Sequence, residues 1–262
     1  MFKNTIFWRS VYAAWTLACD RMLPAALRPA ENFRGEDGLE ELNPLYFMPL
    51  WGAFGGLLAL IAGSVLSAVL PLNGTAIVFA LCIVICSELR TGGRALALNV
   101  TFFDKLFDSN NLLQARSLRV STLKNCSGLI PLLLAIGWLG GKFFAVMLVA
   151  RSGHFGVTAL ALTAALSAEA FMAAEPAAAG VPKYCSKARS EYIAALTGFL
   201  LLFNLIFLPL ATLIAAAAAG VITITALFIA LKRFNSIDSN DMTATGGLVE
   251  VAVWIVVAIL IG

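Results

Sequence analysis

The sequence predicts an all-α fold, a polytopic integral membrane protein of about seven transmembrane helices. Three observations predict it. Hydrophobic residues make up 60% of the 262 residues and charged residues only 13%, against about 25% charged in a soluble domain. The apolar residues come in runs, not in alternation. Lipid cannot solvate open backbone groups, so runs near about 20 residues must close their hydrogen bonds as helices. The Lys and Arg residues, finally, collect on one side of the alternating arrangement that those runs define. A soluble helical core would need polar helix faces, and these runs have almost none.

Residues 1–45 differ in kind from the rest. In "NTIFWRSVYAAWTLACDRMLPAALRP", Phe7, Val11, Trp15 and Ala18 share one face at helical spacing, with Trp8 and Tyr12 beside it. This segment is expected in the membrane interface, its aromatics at headgroup level. A polar connector, "ENFRGEDGLEELNPL", follows, with Gly35 and Gly38 favouring turns. Residues 46–262 form the expected bundle, one membrane domain with the N-terminal segment. Leu50–Leu70 leads out and turns at "PLNG"; Gly74–Ser87 returns near Glu88. Gly128–Ala150 leads out, "RSGHF" turns, and Phe155–Ala174 returns. Ile193 to about Ile214 leads out and the next helix returns at Leu231, with their boundary expected in the alanine-rich stretch before Gly220. The last helix is expected from Leu248 to the final residue.

With the N-terminus in the cytoplasm, the long polar loops 90–127, 175–192 and 232–247 are all cytoplasmic. Of the 18 Lys and Arg residues, only Arg151 in a tight outer turn and Lys142 within a helix fall elsewhere. This is the positive-inside signature. The chain is expected in the cytoplasmic (inner) membrane of a bacterium or archaeon. No cleavable signal is expected, because Trp15, Asp20 and Arg21 break any apolar core after Lys3 and Arg9. The five cysteines show no zinc-type pairing, and Cys82 and Cys86 read as small packing residues. No basic stripe with interleaved aromatics is present, so nucleic acid is not expected as a partner.

The inner loops carry nearly all the polar side chains. Acids in loops 90–127 and 232–247, with basic residues between them, suit a magnesium-bound phosphate substrate: hard carboxylate oxygens hold Mg²⁺, and Arg and Lys hold phosphate oxygens. The alternative is a set of charged loops that only face water. Two glycine pairs stand at helix ends. Gly92 and Gly93 permit a sharp exit or close approach of a ligand. Gly246 and Gly247, expected just before the last helix, place free amides where a phosphate would meet them. Both pairs also fit ordinary caps, and no P-loop pattern is present.

Several segments carry a likeness: "DRMLP" from Asp20, "YFMPLWGAFGGLLALIAG" from Tyr46, "CSELRTGGRALALNVTFFDKLFD" from Cys86, "RSLRVSTLKNCSG" from Arg116 and "IDSNDMTATGGLVEVAVW" from Ile237. In this order they resemble the cobalamin synthases, the adenosylcobinamide-GDP ribazoletransferases. The family's Thr-Gly-Gly is met by Thr91, Gly92 and Gly93. In that register its histidine falls on Ala95 and its first two aspartates on Ala97 and Thr101; only the third is acidic, Asp104. Its Lys-Asp-Ser is met by Lys124 and Asn125, and its last acidic loop by Asp241, with Glu250 near its helical glutamate.

The resemblance implies transfer of α-ribazole, or its 5'-phosphate, onto adenosylcobinamide-GDP with release of GMP, with Mg²⁺ as cofactor. By the same likeness Asp104 and Asp241 share the metal, with Asp108 or Asp238 replacing a missing carboxylate. Asp104, Asp241 and Lys124 are then the catalytic set, and Arg94, Arg116, Arg119, Asn125 and Asn240 hold substrate. Membrane lipid, other cobamide-assembly enzymes or a second copy are the expected partners. The departures admit a catalytically inactive accessory subunit. Lys142, Glu169 and Glu250, charged within apolar runs, admit a small-molecule permease. A CDP-alcohol phosphotransferase is excluded, since its Asp-x-x-Asp-Gly-x-x-Ala-Arg signature does not occur.

Overall fold

The computed structural model describes residues 6–18, 43–107, 129–178, 188–234 and 236–261. Among them the chain is helical throughout, and the nearest thing to a strand is an isolated bridge between Ala178 and Ile237. Six helices are long and apolar enough to cross a membrane, the build of a multi-pass membrane protein.

Helix α1, Ile6–Ala18, has 13 residues and rises about 20 Å, too short for about 30 Å of hydrocarbon. It docks by its small side, burying Ser10, Ala13, Ala14 and Ala18, and exposes Phe7, Trp8 and Tyr12. On the face shared by Phe7, Val11, Trp15 and Ala18, Phe7 stands edge-on to Phe47 and Ala18 is buried. Trp51 Nε1 donates to the Val11 carbonyl at 3.0 Å and the Trp15 ring lies against Trp51, fastening α1 beside the start of α2.

Asn43 starts a 3-10 turn, Pro44–Phe47, by accepting the Leu45 N–H on its side chain. The chain continues as α2, Met48–Val69, turns at Leu70 and Pro71, and returns as α3, Leu72–Thr91. Helix α4 is Arg94–Phe107, α5 is Leu129–Arg151 and α6 is Val157–Ala173. Loop 90–127 is thus helical over α4, whose 14 residues do not span. The tightest packing is α2 on α6. A Cβ on Gly56 would lie 2.0 Å from Ala159 Cα, and one on Gly52 2.6 Å from the backbone of Leu162 and Thr163. These glycines are one turn apart on one face. Such backbone contact is what joins helices in lipid, where no hydrophobic drive separates protein from solvent.

Helices α7, Ser190–Phe207, and α8, Pro209–Ile229, break at Leu208, which has φ −140° and ψ 67°. The boundary expected before Gly220 is corrected to this point. Pro209 has no N–H and forces the preceding residue out of helical geometry, while the alanines from Ala215 to Ala219 simply continue a helix. The two helices run antiparallel, since Ile193 and Ala230 share one apolar cluster while Leu201, Leu208 and Ala211 belong to the other. The α7 stretch Ser190–Ile206 is apolar but shorter than the six spans. Helix α8 ends in a π turn, Ala230–Phe234, and α9 is Ser239–Ile261.

The starts of α2, α7 and α9 and the ends of α6 and α8 meet in one apolar cluster around Met48, Met172, Ile193, Ala230 and Met242. The short turns at 70–71, 152–156 and 208 lie at the opposite end, where Ser152 Oγ donates to the Ile261 carbonyl. All the long connections therefore leave from one end of the bundle.

Candidate functional site

The site is built at that loop-bearing end, beginning at the head of α9. Asp238 Oδ1 accepts the N–H groups of Asn240 and Asp241 at 2.8 and 2.9 Å, and Asp241 Oδ2 accepts the Asp238 N–H at 3.0 Å. This is an acidic form of the reciprocal capping box, and both carboxylates stand where the helix dipole favours them. The cap starts α9 at Ser239, well before the expected Leu248. Gly246 and Gly247 are consequently inside the helix, and the expected phosphate contact with their amides is overturned: those N–H groups face helical carbonyls.

The glycines of Thr91-Gly92-Gly93 do end a helix. Gly92 and Gly93 have φ of 61° and 71°, conformations that suit glycine. Their N–H groups close α3 on the Leu89 and Glu88 carbonyls, and the chain reverses into α4. Helix α4 then lies on α9. Asn99, fully buried, donates from Nδ2 to the Ala95 carbonyl at 2.9 Å and to the Ala244 carbonyl at 3.1 Å. A Cβ on Gly247 would lie 2.7 Å from Ala95 Cβ. Segments 145 residues apart are joined here.

Beneath this junction the bundle holds five charged groups, with Lys142, Glu169 and Glu250 buried and Glu88 and Arg90 partly so. Arg90 holds Glu169 through both guanidinium nitrogens, at 3.0 and 3.3 Å. Lys142 lies 3.1 Å from Glu250 Oε1 and 3.5 Å from Glu88 Oε1. It also donates to Ser87 Oγ, and Ser87 in turn donates to Glu250 Oε2 at 2.8 Å. Glu169 touches α9 at Gly246, where a Cβ would lie 2.2 Å from Glu169 Oε1. The network ties α3, α5, α6 and α9 together and reaches the turn that carries Gly92 and Gly93.

The expected site residues divide accordingly. Asp238, Asn240 and Asp241 stand together at the head of α9, and Arg94, half-buried, opens α4. Asp104 lies on α4, its side chain outside the described ones; Asp108, Arg116, Arg119, Lys124 and Asn125 lie outside the described residues. Among the described residues no three His, Cys, Asp or Glu side chains gather to hold a metal ion. The acid pair at α9 offers the hard oxygen donors that Mg²⁺ prefers, though fewer than the about six it takes.

Sequence reasoning singled out Lys142, Glu169 and Glu250 but did not pair them with Ser87, Glu88 and Arg90, which it assigned to a helix end and a loop. The available signal was that Glu88 and Arg90 follow the apolar run of α3 without a break, inside its last turn. No family model, characterised protein or solved structure matches the chain.

Proposed function

We propose that the chain is a cobalamin-synthase-like transferase of the cytoplasmic (inner) membrane, joining α-ribazole or its 5'-phosphate to adenosylcobinamide-GDP with release of GMP. The observation that carries the reading is the seating of α4 on α9. The Thr91-Gly92-Gly93 segment and the acidic segment around Asp241 hold the two most specific parts of the family likeness, and they meet through Asn99, Ala244 and Gly247. A diphosphate at this end would meet the acids at the head of α9 and Arg94 at the head of α4, and the family likeness adds Arg116, Arg119 and Lys124 from outside the described residues. These cations take phosphate oxygens and offset the charge that develops on transfer. Asn125 and Asn240 supply neutral hydrogen bonds.

Asp241 and Asp104, with Asp238 or Asp108, are the residues that would hold Mg²⁺, the ion supplying charge neutralisation at the diphosphate when bound. Substrate oxygens and water complete so sparse a shell, so metal and nucleotide substrate bind together. Substrate affinity is therefore expected to rise with Mg²⁺ in the wild type and to lose that dependence in Asp104→Asn and Asp241→Asn. Retention of the dependence by both variants excludes the shared site.

A second reading, an inactive accessory subunit, is favoured by Ala95. It stands at the family's histidine position and is buried against Gly247, where no imidazole fits. Purified protein in detergent decides between them. Adenosylcobinamide-GDP and α-ribazole yield GMP and a complete cobamide on the transferase reading, and neither product on the second.

A further inference from the structure

In the middle of the bundle one ammonium serves two carboxylates. The Lys142 and Glu250 side chains are each 2% exposed, and that of Glu88 is 16% exposed. Beyond those two acids, Lys142 touches only Ser87 Oγ, whose own proton goes to Glu250 Oε2. The neighbouring Arg90 guanidinium is paired with the Glu169 carboxylate. Among the described side chains, three carboxylates (Glu88, Glu169, Glu250) face two cations (Arg90, Lys142), a formal charge of −1 on spanning helices. An excess charge in so dry a place is costly unless something neutralises it.

Hydrogen bonding points the same way. Glu88 Oε2 is buried with no hydrogen-bond partner, whereas Glu250 Oε1 is held by the Lys142 ammonium at 3.1 Å. Glu88 Oε2 is an acceptor, so a donor satisfies it, and a donor that also brings one positive charge cancels the excess. We propose that the Glu88–Lys142–Glu250 triad is a binding site for one proton. The proton brings the cluster to zero charge and turns one carboxylate oxygen into an O–H donor. A metal cation would supply the charge, but a hard ion needs a shell of about six oxygens, and no three metal-binding side chains gather among the described residues. Among the described side chains, the charged groups around the triad are Glu88 and Arg90 from α3, Lys142 from α5, Glu169 from α6 and Glu250 from α9. Helix α4, packed on α5 and α9, brings Arg94 at its first residue. Buried ionisable groups of this kind mark proton sites in membrane bundles, and this one holds whether or not the transferase reading does.

The test is infrared difference spectroscopy of the full chain in lipid vesicles, in H₂O and D₂O, across the pH range in which it stays folded. The expected result is one buried protonated carboxyl, seen as a C=O stretch that shifts in D₂O. The band is lost in Glu88→Gln and in Glu250→Gln, which keep side-chain shape, and a second band appears in Lys142→Met. A wild type with no such band at any pH overturns the proposal, and so does a band that survives both Gln variants. At fixed pH, loss of the band on adding sodium but not choline assigns the site to an alkali cation and overturns it equally.

Discussion

Gly246 has no side chain because Glu169 occupies the space one would fill. That contact and the Arg90–Glu169 pair are two sides of one arrangement: the carboxylate is held by the guanidinium and pressed against the backbone of α9. Gly246→Ala is expected to destabilise the chain by about 1–3 kcal/mol, the cost of overpacking, as measured by reversible unfolding in detergent. Unchanged stability would mean that Glu169 swings away without loss. Arg90→Met and Glu169→Met are each expected to cost about 3–5 kcal/mol, since each strands a buried charge. The double variant should cost less than the sum, and a double-mutant cycle reads that coupling; strict additivity would deny the pair. Single residues of this network were visible in the sequence, because Lys142, Glu169 and Glu250 interrupt apolar runs. Their pairing was not. Glu88, Glu169 and Ser87 lie 54, 79 and 163 residues from the partners they hold, and no local pattern encodes contacts at such distances.

At the scale of elements, apolar length was legible and boundaries were not, for two chemical reasons. Proline at position 209 ends α7 because it lacks a donor and constrains Leu208, a sharper signal than the small residues from Ala215 to Ala219. Acids at 238 and 241 start α9 because they satisfy each other's backbone amides, so a stretch that reads as a polar loop is the first turns of a helix. Pairing between elements was hidden again, except where glycines recur at one-turn spacing. Gly52 and Gly56 mark where α2 meets α6, and the bare backbone there is filled by Ala159, Leu162 and Thr163. Gly56→Leu is expected to separate these helices, because its Cβ alone falls 2.0 Å from Ala159 Cα. An introduced cysteine pair at Gly55 and Leu162, where a Cβ on Gly55 would lie 3.3 Å from Leu162 Cδ1, gives the measurement: efficient cross-linking in the parent, little in the Gly56→Leu background. Equal cross-linking in both would show that α2 and α6 do not rely on this close approach.

For the whole molecule, the decisive asymmetry is that every long connection leaves one end of the bundle while the other end has only tight turns. Of the described basic residues, Arg90, Arg94, Arg189 and Lys232 lie at that same end and Arg151 at the other, and translocation disfavours moving Lys and Arg across the membrane. From charge and connectivity we propose one orientation, with loops 90–127, 175–192 and 232–247 in the cytoplasm and the turns at 71–74 and 151–155 outside. The proposed site inherits this orientation, since Arg94 and the acids at the head of α9 belong to the loop-bearing end. Thiol labelling of intact cells tests it. The five native cysteines are first replaced; Cys82 and Cys86 are exposed and would otherwise react with permeant reagent. Single cysteines at Asn110, Ser186 and Ser239 are expected to resist an impermeant reagent from outside and to react after the membrane is opened. Those at Asn73 and Ser152, both exposed, are expected to react at once. The converse pattern inverts the molecule and places the proposed site outside, away from any cytoplasmic nucleotide substrate. A mixed pattern within the first three breaks the single-ended arrangement itself, because α6, α7, α8 and α9 could not then share the cluster around Met172, Ile193, Ala230 and Met242.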